Sequence, residues 1–223
     1  MLTLGPLVAL GFILGIRHAT DPDHVVAVGT IVSRERRARC AAMIGVLWGV
    51  GHTVTILLAG GAIAVFGLVV PPEVGLTVEL SVALMLVVLG TLGIAAAGRP
   101  RPEARPERLD RRFGRLGLYH AARPFMVGAV HGVAGSAAVG LLVVTTVGDP
   151  LRSLIYLLVY GIGTVAGMVV ITAAIALPFT WTARRLLGVN RGLARATGLL
   201  SVGLGLFLVY QIGVVGGLFT GRY

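Results

Sequence analysis

Six apolar runs, each long enough to cross a bilayer, fill most of this chain: residues 4–32, 40–70, 74–97, 124–147, 151–182 and 193–219. About twenty apolar residues suffice for one helical crossing of the hydrocarbon core. Inside lipid the backbone must satisfy its own hydrogen bonds, which leaves helices as the only form for runs of this kind. The chain therefore reads as an all-α polytopic membrane protein of six transmembrane helices. Charge is correspondingly scarce, 13% of residues against roughly a quarter in a soluble domain, and the mean hydropathy is +0.92. Thirty-three glycines suit close helix approach within a membrane. No cleavable leader is expected, because the first run lacks a basic segment before it and leads into charged residues instead of small ones.

A net charge of +10 invites a nucleic-acid reading, which its distribution excludes. All basic side chains other than histidine are Arg. Four fall between Ser33 and Arg39, eight between Arg99 and Arg123, and four between Arg184 and Arg195. Clusters of this kind between apolar runs mark cytoplasmic loops. They follow the first, third and fifth runs, so both termini are expected outside a bacterial plasma membrane. The abundance of Arg, Ala and Gly without Lys fits a high-GC bacterial source. The single Cys40 rules out an internal disulfide and an all-thiolate metal site.

The Arg- and Pro-rich stretch 98–123 separates two halves, 1–97 and 124–223, that resemble each other. Leu14-Gly15-Ile16-Arg17-His18-Ala19 matches Val127-Gly128-Ala129-Val130-His131-Gly132, and Gly49-Val50-Gly51-His52 matches Gly161-Ile162-Gly163-Thr164. The glycine-spaced tails 82–94 and 202–214 also correspond. Three spans per half force the second copy to enter from the opposite face. The expectation is thus two inverted three-helix repeats, with a substrate site near the midplane between them.

The segment that carries chemistry is Arg17-His18-Ala19-Thr20-Asp21-Pro22-Asp23-His24, in the middle of the first run. One Asp or Arg at that depth costs roughly 2.5–3.5 kcal/mol even on a lenient scale. Five ionisable side chains within eight residues imply a functional site. Pro22 lacks an N–H and pushes Asp21 out of the helical region, so the first span should be a broken helix, with Asp21 as N-cap and Pro22 opening the second piece. In a straight helix His18 and His24 would sit about 120° apart; the break lets both imidazoles and the Asp23 carboxylate turn to one point. Mixed imidazole and carboxylate ligands suit nickel, cobalt, zinc or manganese, and the lack of Cys and Met in the segment argues against cuprous copper.

His18, four residues, then Asp23-His24 has the H-x4-D-H form of the nickel/cobalt permease families, and Arg17-His18-Ala19 before it and Val25-Val26-Ala27 after it strengthen the resemblance. Val50-Gly51-His52-Thr53-Val54 in the second span looks like the same families' G-H-[ST] element. His131-Gly132-Val133-Ala134-Gly135-Ser136-Ala137 resembles the shorter six-span, urease-accessory-like nickel permease branch. The resemblance implies that His18, Asp23 and His24 bind the metal and that His52 completes or relays the site. Asp21, His131, Arg17 and Ser136 are secondary candidates. The expected function is a permease, not an enzyme, that takes up nickel or cobalt as its substrate and keeps no resident cofactor. Protonation of the imidazoles would eject the ion, so uptake should fall below about pH 6, near the ordinary imidazole pKa.

Three other readings compete. An exporter of a small anion on the same scaffold would use Arg17, and an intramembrane serine hydrolase would use Ser136 with a histidine base. A metal efflux permease would be expected to carry a histidine-rich cytoplasmic loop, whereas stretch 98–123 has His120 alone. Glu79, near the outer end of the third span, is expected to reach solvent. Trp48 and Trp181 read as packing or belt residues. The sequence leaves open whether copies of the chain associate as a homo-oligomer.

Overall fold

The structure, a computed structural model, describes residues 4–33, 35, 38–97, 115–134 and 147–221. Its regular elements are all helical: α1 (Leu4–His18), α2 (Pro22–Val32), α3 (Ala38–Phe66), α4 (Pro72–Ala97), α5 (Arg115–Val133), α6 (Pro150–Arg185) and α7 (Leu187–Tyr210). A π-helical turn, Gln211–Val215, continues α7. Among the described residues, four helical stretches are long and apolar enough to cross a membrane: Ala38–Phe66, Pro72–Ala97, Pro150–Thr182 and Gly188–Val215. α1 and α2 are shorter apolar helices. Large apolar side chains such as Leu58, Phe66, Val170 and Leu199 are exposed on them, as lipid-facing surfaces require.

The first apolar run is broken where its proline dictates. α1 ends at His18, and Thr20 and Asp21 turn back through their backbone N–H groups to the carbonyls of Arg17 and His18. Pro22 then opens α2. The boundary between the fifth and sixth runs differs from the sequence reading. α6 extends to Arg185 and α7 starts at Leu187, so most of the Arg-rich stretch 184–195 is helical instead of looped. Helices can continue past the hydrocarbon, because their arginines reach water from a helical backbone as readily as from a loop. The 36 residues of α6 span about 54 Å, well beyond one bilayer core.

Two packed groups form the bundle. α3 and α6 lie against each other at the centre, with α1 packed on α6 and α5 on α3. α4 and α7 form a second pair, and α2 sits between the groups, touching α6, α7, α4 and α3. The closest crossings need glycine. A Cβ on Gly15 would collide with the Tyr160 carbonyl oxygen across the α1–α6 contact, and one on Gly128 with the Trp48 carbonyl oxygen across α5–α3. Polar side chains also tie helices together: Ser201 Oγ donates to the Leu86 carbonyl at 2.8 Å, and Asn190 Nδ2 donates to Phe179 O and Thr182 Oγ1, both at 3.0 Å.

A buried imidazole cluster at the helix break

Two Asp-Pro dipeptides start helices in this chain, and their carboxylates behave differently. Asp149 caps α6 conventionally, accepting from Leu151 N at 2.9 Å and Arg152 N at 3.3 Å. Asp21 occupies the same position before α2 but makes no side-chain cap. Its Oδ2 instead accepts from His18 Nδ1 at 2.8 Å. Forgoing the cap costs about 1 kcal/mol, so the carboxylate of Asp21 is committed to orienting an imidazole.

Four imidazoles converge at this break. His18 from the end of α1, His24 from the first turn of α2, His52 from mid-α3 and His131 from α5 are all buried, the last three completely. The ring of His24 lies 4.7 Å from that of His18, 5.2 Å from His52 and 4.8 Å from His131. Asp23, half-buried, accepts from His24 Nδ1 at 3.2 Å and places its other oxygen 3.6 Å from His131 Nε2. Trp48 packs against His131, and Tyr160 against His18. The site thus draws on α1, α2, α3 and α5, with a wall from α6.

The hydrogen bonds fix which nitrogens are available. Carboxylate and carbonyl oxygens only accept, so Nδ1 of His18, His24 and His131 each carries the proton it donates to Asp21, Asp23 and the Val127 carbonyl. Each Nε2 is then a lone pair. Those of His24 and His131 are buried without a hydrogen-bond partner. His18 Nε2 meets His52 Nε2 at 2.9 Å. An imidazole lone pair 3.6 Å from a carboxylate oxygen, as at His131 and Asp23, is an arrangement of two acceptors that a cation or a proton between them would satisfy. Metal-bound histidines commonly donate their second ring N–H to a carboxylate or a carbonyl, as Nδ1 of His18, His24 and His131 does here.

Among the described residues, two sets of side chains bring ligand atoms within 4.8 Å of one another: His18, His24 and His52, and Asp23, His24 and His131. The structure therefore brings His18, His24 and His52 together, and sets Asp23 with His24 and His131, which the sequence had only as a secondary candidate. Asp21 stands one layer out, behind His18. Arg17 is exposed on α1, while both aspartates face imidazoles; it takes no place in the cluster. Ser136 lies outside the described residues. Trp48 and Tyr160 were not singled out by sequence as cluster walls, and no local motif marks them.

A cavity of about 580 Å³ reaches the cluster from one side, bordered by Asp21, Asp23, Glu79, Phe207 and Gln211 among others. Glu79 therefore lines a space shared with the break carboxylates, where the sequence reading had it simply reaching solvent. Gln211 enters this lining from the π-helical turn.

No protein-family model matches the chain, and no solved structure matches it. It is similar to the urease accessory protein UreH of Bacillus sp. (strain TB-90), with 35% identity over 217 residues that cover 96% of this chain and 94% of the relative. Identity at that level along nearly the full length of both proteins establishes the relationship, and the chain belongs to the UreH family of urease accessory proteins.

Proposed function

We propose that this protein is a secondary permease for a divalent transition-metal ion, nickel before cobalt, with the ion held as substrate by His18, Asp23, His24, His52 and His131. The observation that carries this reading is the convergence of four buried imidazoles and a carboxylate, with unpartnered lone pairs, at a helix break inside an apolar bundle. A set of neutral imidazoles beside one carboxylate suits a borderline divalent cation and not an alkali or alkaline-earth ion. Kinship with a urease accessory protein favours nickel, the metal handled in urease maturation. The anion-exporter reading would need Arg17 at the centre, and Arg17 is exposed.

The scaffold is two inverted repeats, 1–97 and 124–223, joined by the stretch 98–123 on the cytoplasmic side, with both termini outside. Paired contacts support this. Gly15 meets Tyr160 as Gly128 meets Trp48, and Gly51 meets Phe125 as Gly163 meets Phe12, each residue 112 or 113 positions from its counterpart. In the third spans, Gly90 meets Gly198 and Val202 as Gly205 meets Ala83 and Val87. That pairs Gly90 with Gly205, 115 positions apart, and displaces the alignment of 82–94 with 202–214. Rocking of one repeat against the other would expose the midplane site to each side in turn. An inside-negative potential favours inward movement by about 2.3 kcal/mol per charge per 100 mV.

The test is nickel accumulation by proteoliposomes containing the purified protein, with cobalt and zinc as competitors. Saturable accumulation that cobalt suppresses supports the reading. Accumulation no greater than in protein-free liposomes, under an imposed potential of either sign, rejects it.

A further inference from the structure

The ligand groups of the cluster form two overlapping sets. His18, His24 and His52 make one, from α1, α2 and α3; Asp23, His24 and His131 make the other, from α2 and α5. No set within reach joins His52 to His131 among the described residues. His24 belongs to both and lies at similar distances from the rings on either side. We infer that the centre offers two alternative positions to a single ion, with His24 common to both, and that the ion crosses the midplane by exchanging ligands around that one imidazole. This rests on the permease reading above.

Single occupancy follows from ligand chemistry. A neutral imidazole has one lone pair, so His24 serves one ion at a time. Two divalent cations packed around one ring inside an apolar bundle would also repel each other strongly. The two positions differ in character: one is all imidazole, the other includes a carboxylate that offsets part of the ion's charge. Both contain buried nitrogens without hydrogen-bond partners, His24 Nε2 in the first and His24 Nε2 with His131 Nε2 in the second. Of these ligand groups Asp23 borders the cavity, whereas His18, His24, His52 and His131 do not. The carboxylate position is therefore the one an ion reaches from the cavity, and the all-imidazole position lies behind it. Each ligand set holds the ion at one position only, so passage through the centre needs both.

The experiment uses the purified full chain with Co²⁺ as probe, reading stoichiometry by equilibrium dialysis and ligand type by optical and X-ray absorption spectra. His131→Asn and Asp23→Asn address the cavity-side position; His52→Asn and His18→Asn address the inner one. Asn is close to each side chain in size, and gel filtration in detergent confirms that each variant is folded. One Co²⁺ per wild-type chain is expected. The first pair should shift its ligands toward nitrogen alone, and the second pair toward more oxygen. Every variant should still bind one ion while transport falls about tenfold or more. Two ions per wild-type chain, the same ligand set in both pairs, or unchanged spectrum and transport in His131→Asn would overturn the two-position inference while leaving the permease intact. A wild-type chain that binds neither Co²⁺ nor Ni²⁺ would remove the permease reading itself, and the inference with it.

Discussion

His18 Nε2 lies 2.9 Å from His52 Nε2, joining two imidazoles 34 residues apart in the chain. With His18 held as the Nδ1–H form by Asp21, this contact is a hydrogen bond that His52 donates. On the permease reading an arriving ion would take the place of that proton, and His52 would move its proton to Nδ1. Replacing His52 by Ala removes a ligand and leaves His18 Nε2 unpaired in a buried site. Nickel affinity should weaken by more than about 10-fold, as measured by competition with a chromophoric chelator.

Asp21 is hydrogen-bonded to His18 and belongs to neither ligand set, so on the permease reading it would act through His18. Asp21→Asn keeps the shape but no longer specifies the Nδ1–H form of His18. Affinity should drop by about 10–100-fold with the thermal midpoint in detergent nearly unchanged, because Asp21 contributes no cap to α2. An equal loss of stability would place its role in folding.

Protons compete with the metal for the same nitrogens. Imidazole must be neutral to bind, so acidification lowers affinity and alkalinisation does not. Each bound imidazole that must first lose a proton steepens the fall by up to tenfold per pH unit. Nickel binding by the purified chain should weaken on acidification and hold on alkalinisation. Binding that stays constant on acidification until the chain itself unfolds would exclude imidazole ligation.

The α1–α6 and α5–α3 crossings depend on missing side chains. Gly15→Val and Gly128→Val should each force helices apart at a backbone carbonyl and destabilise by about 1–3 kcal/mol. Thermal unfolding in detergent reads this directly. Similar losses at the two sites are the expected result, since each glycine faces the corresponding carbonyl across its crossing.

Glu79 shares its cavity with Asp21 and Asp23 and belongs to neither ligand set. Glu79→Gln should slow uptake at low nickel by reducing cation attraction into the cavity. Equilibrium affinity in detergent should stay the same. A matching loss of affinity would make Glu79 a ligand.

The helix break was legible because its cause is local: Pro22 dictates the break wherever the helix is placed. The long apolar runs were equally legible, since length and composition alone identify them. Membership of the cluster was legible only in part. Arg17 and His18 are neighbours in sequence, but successive helical side chains point about 100° apart, so turning His18 inward sends Arg17 out. His131 could not be ranked from sequence because it reaches the cluster through the α5–α3 crossing, where Gly128 meets Trp48. The half-chain similarity, which aligned His131 with His18, and the His131-Gly132 motif pointed to it without showing which partners it meets. Glu79 faces a cavity made by α2, α4 and α7 together, which no single segment encodes. The start of α7 was misplaced because hydropathy locates the membrane, whereas the helix runs beyond it.

Radioactive nickel uptake by cells expressing the wild type or His24→Ala, at matched amounts in the membrane, tests whether the imidazole cluster carries a transition-metal ion through the bilayer. His24 is common to both proposed positions, so the expected result is saturable wild-type uptake and none above the empty vector in the variant. Equal uptake by wild type and variant would contradict it.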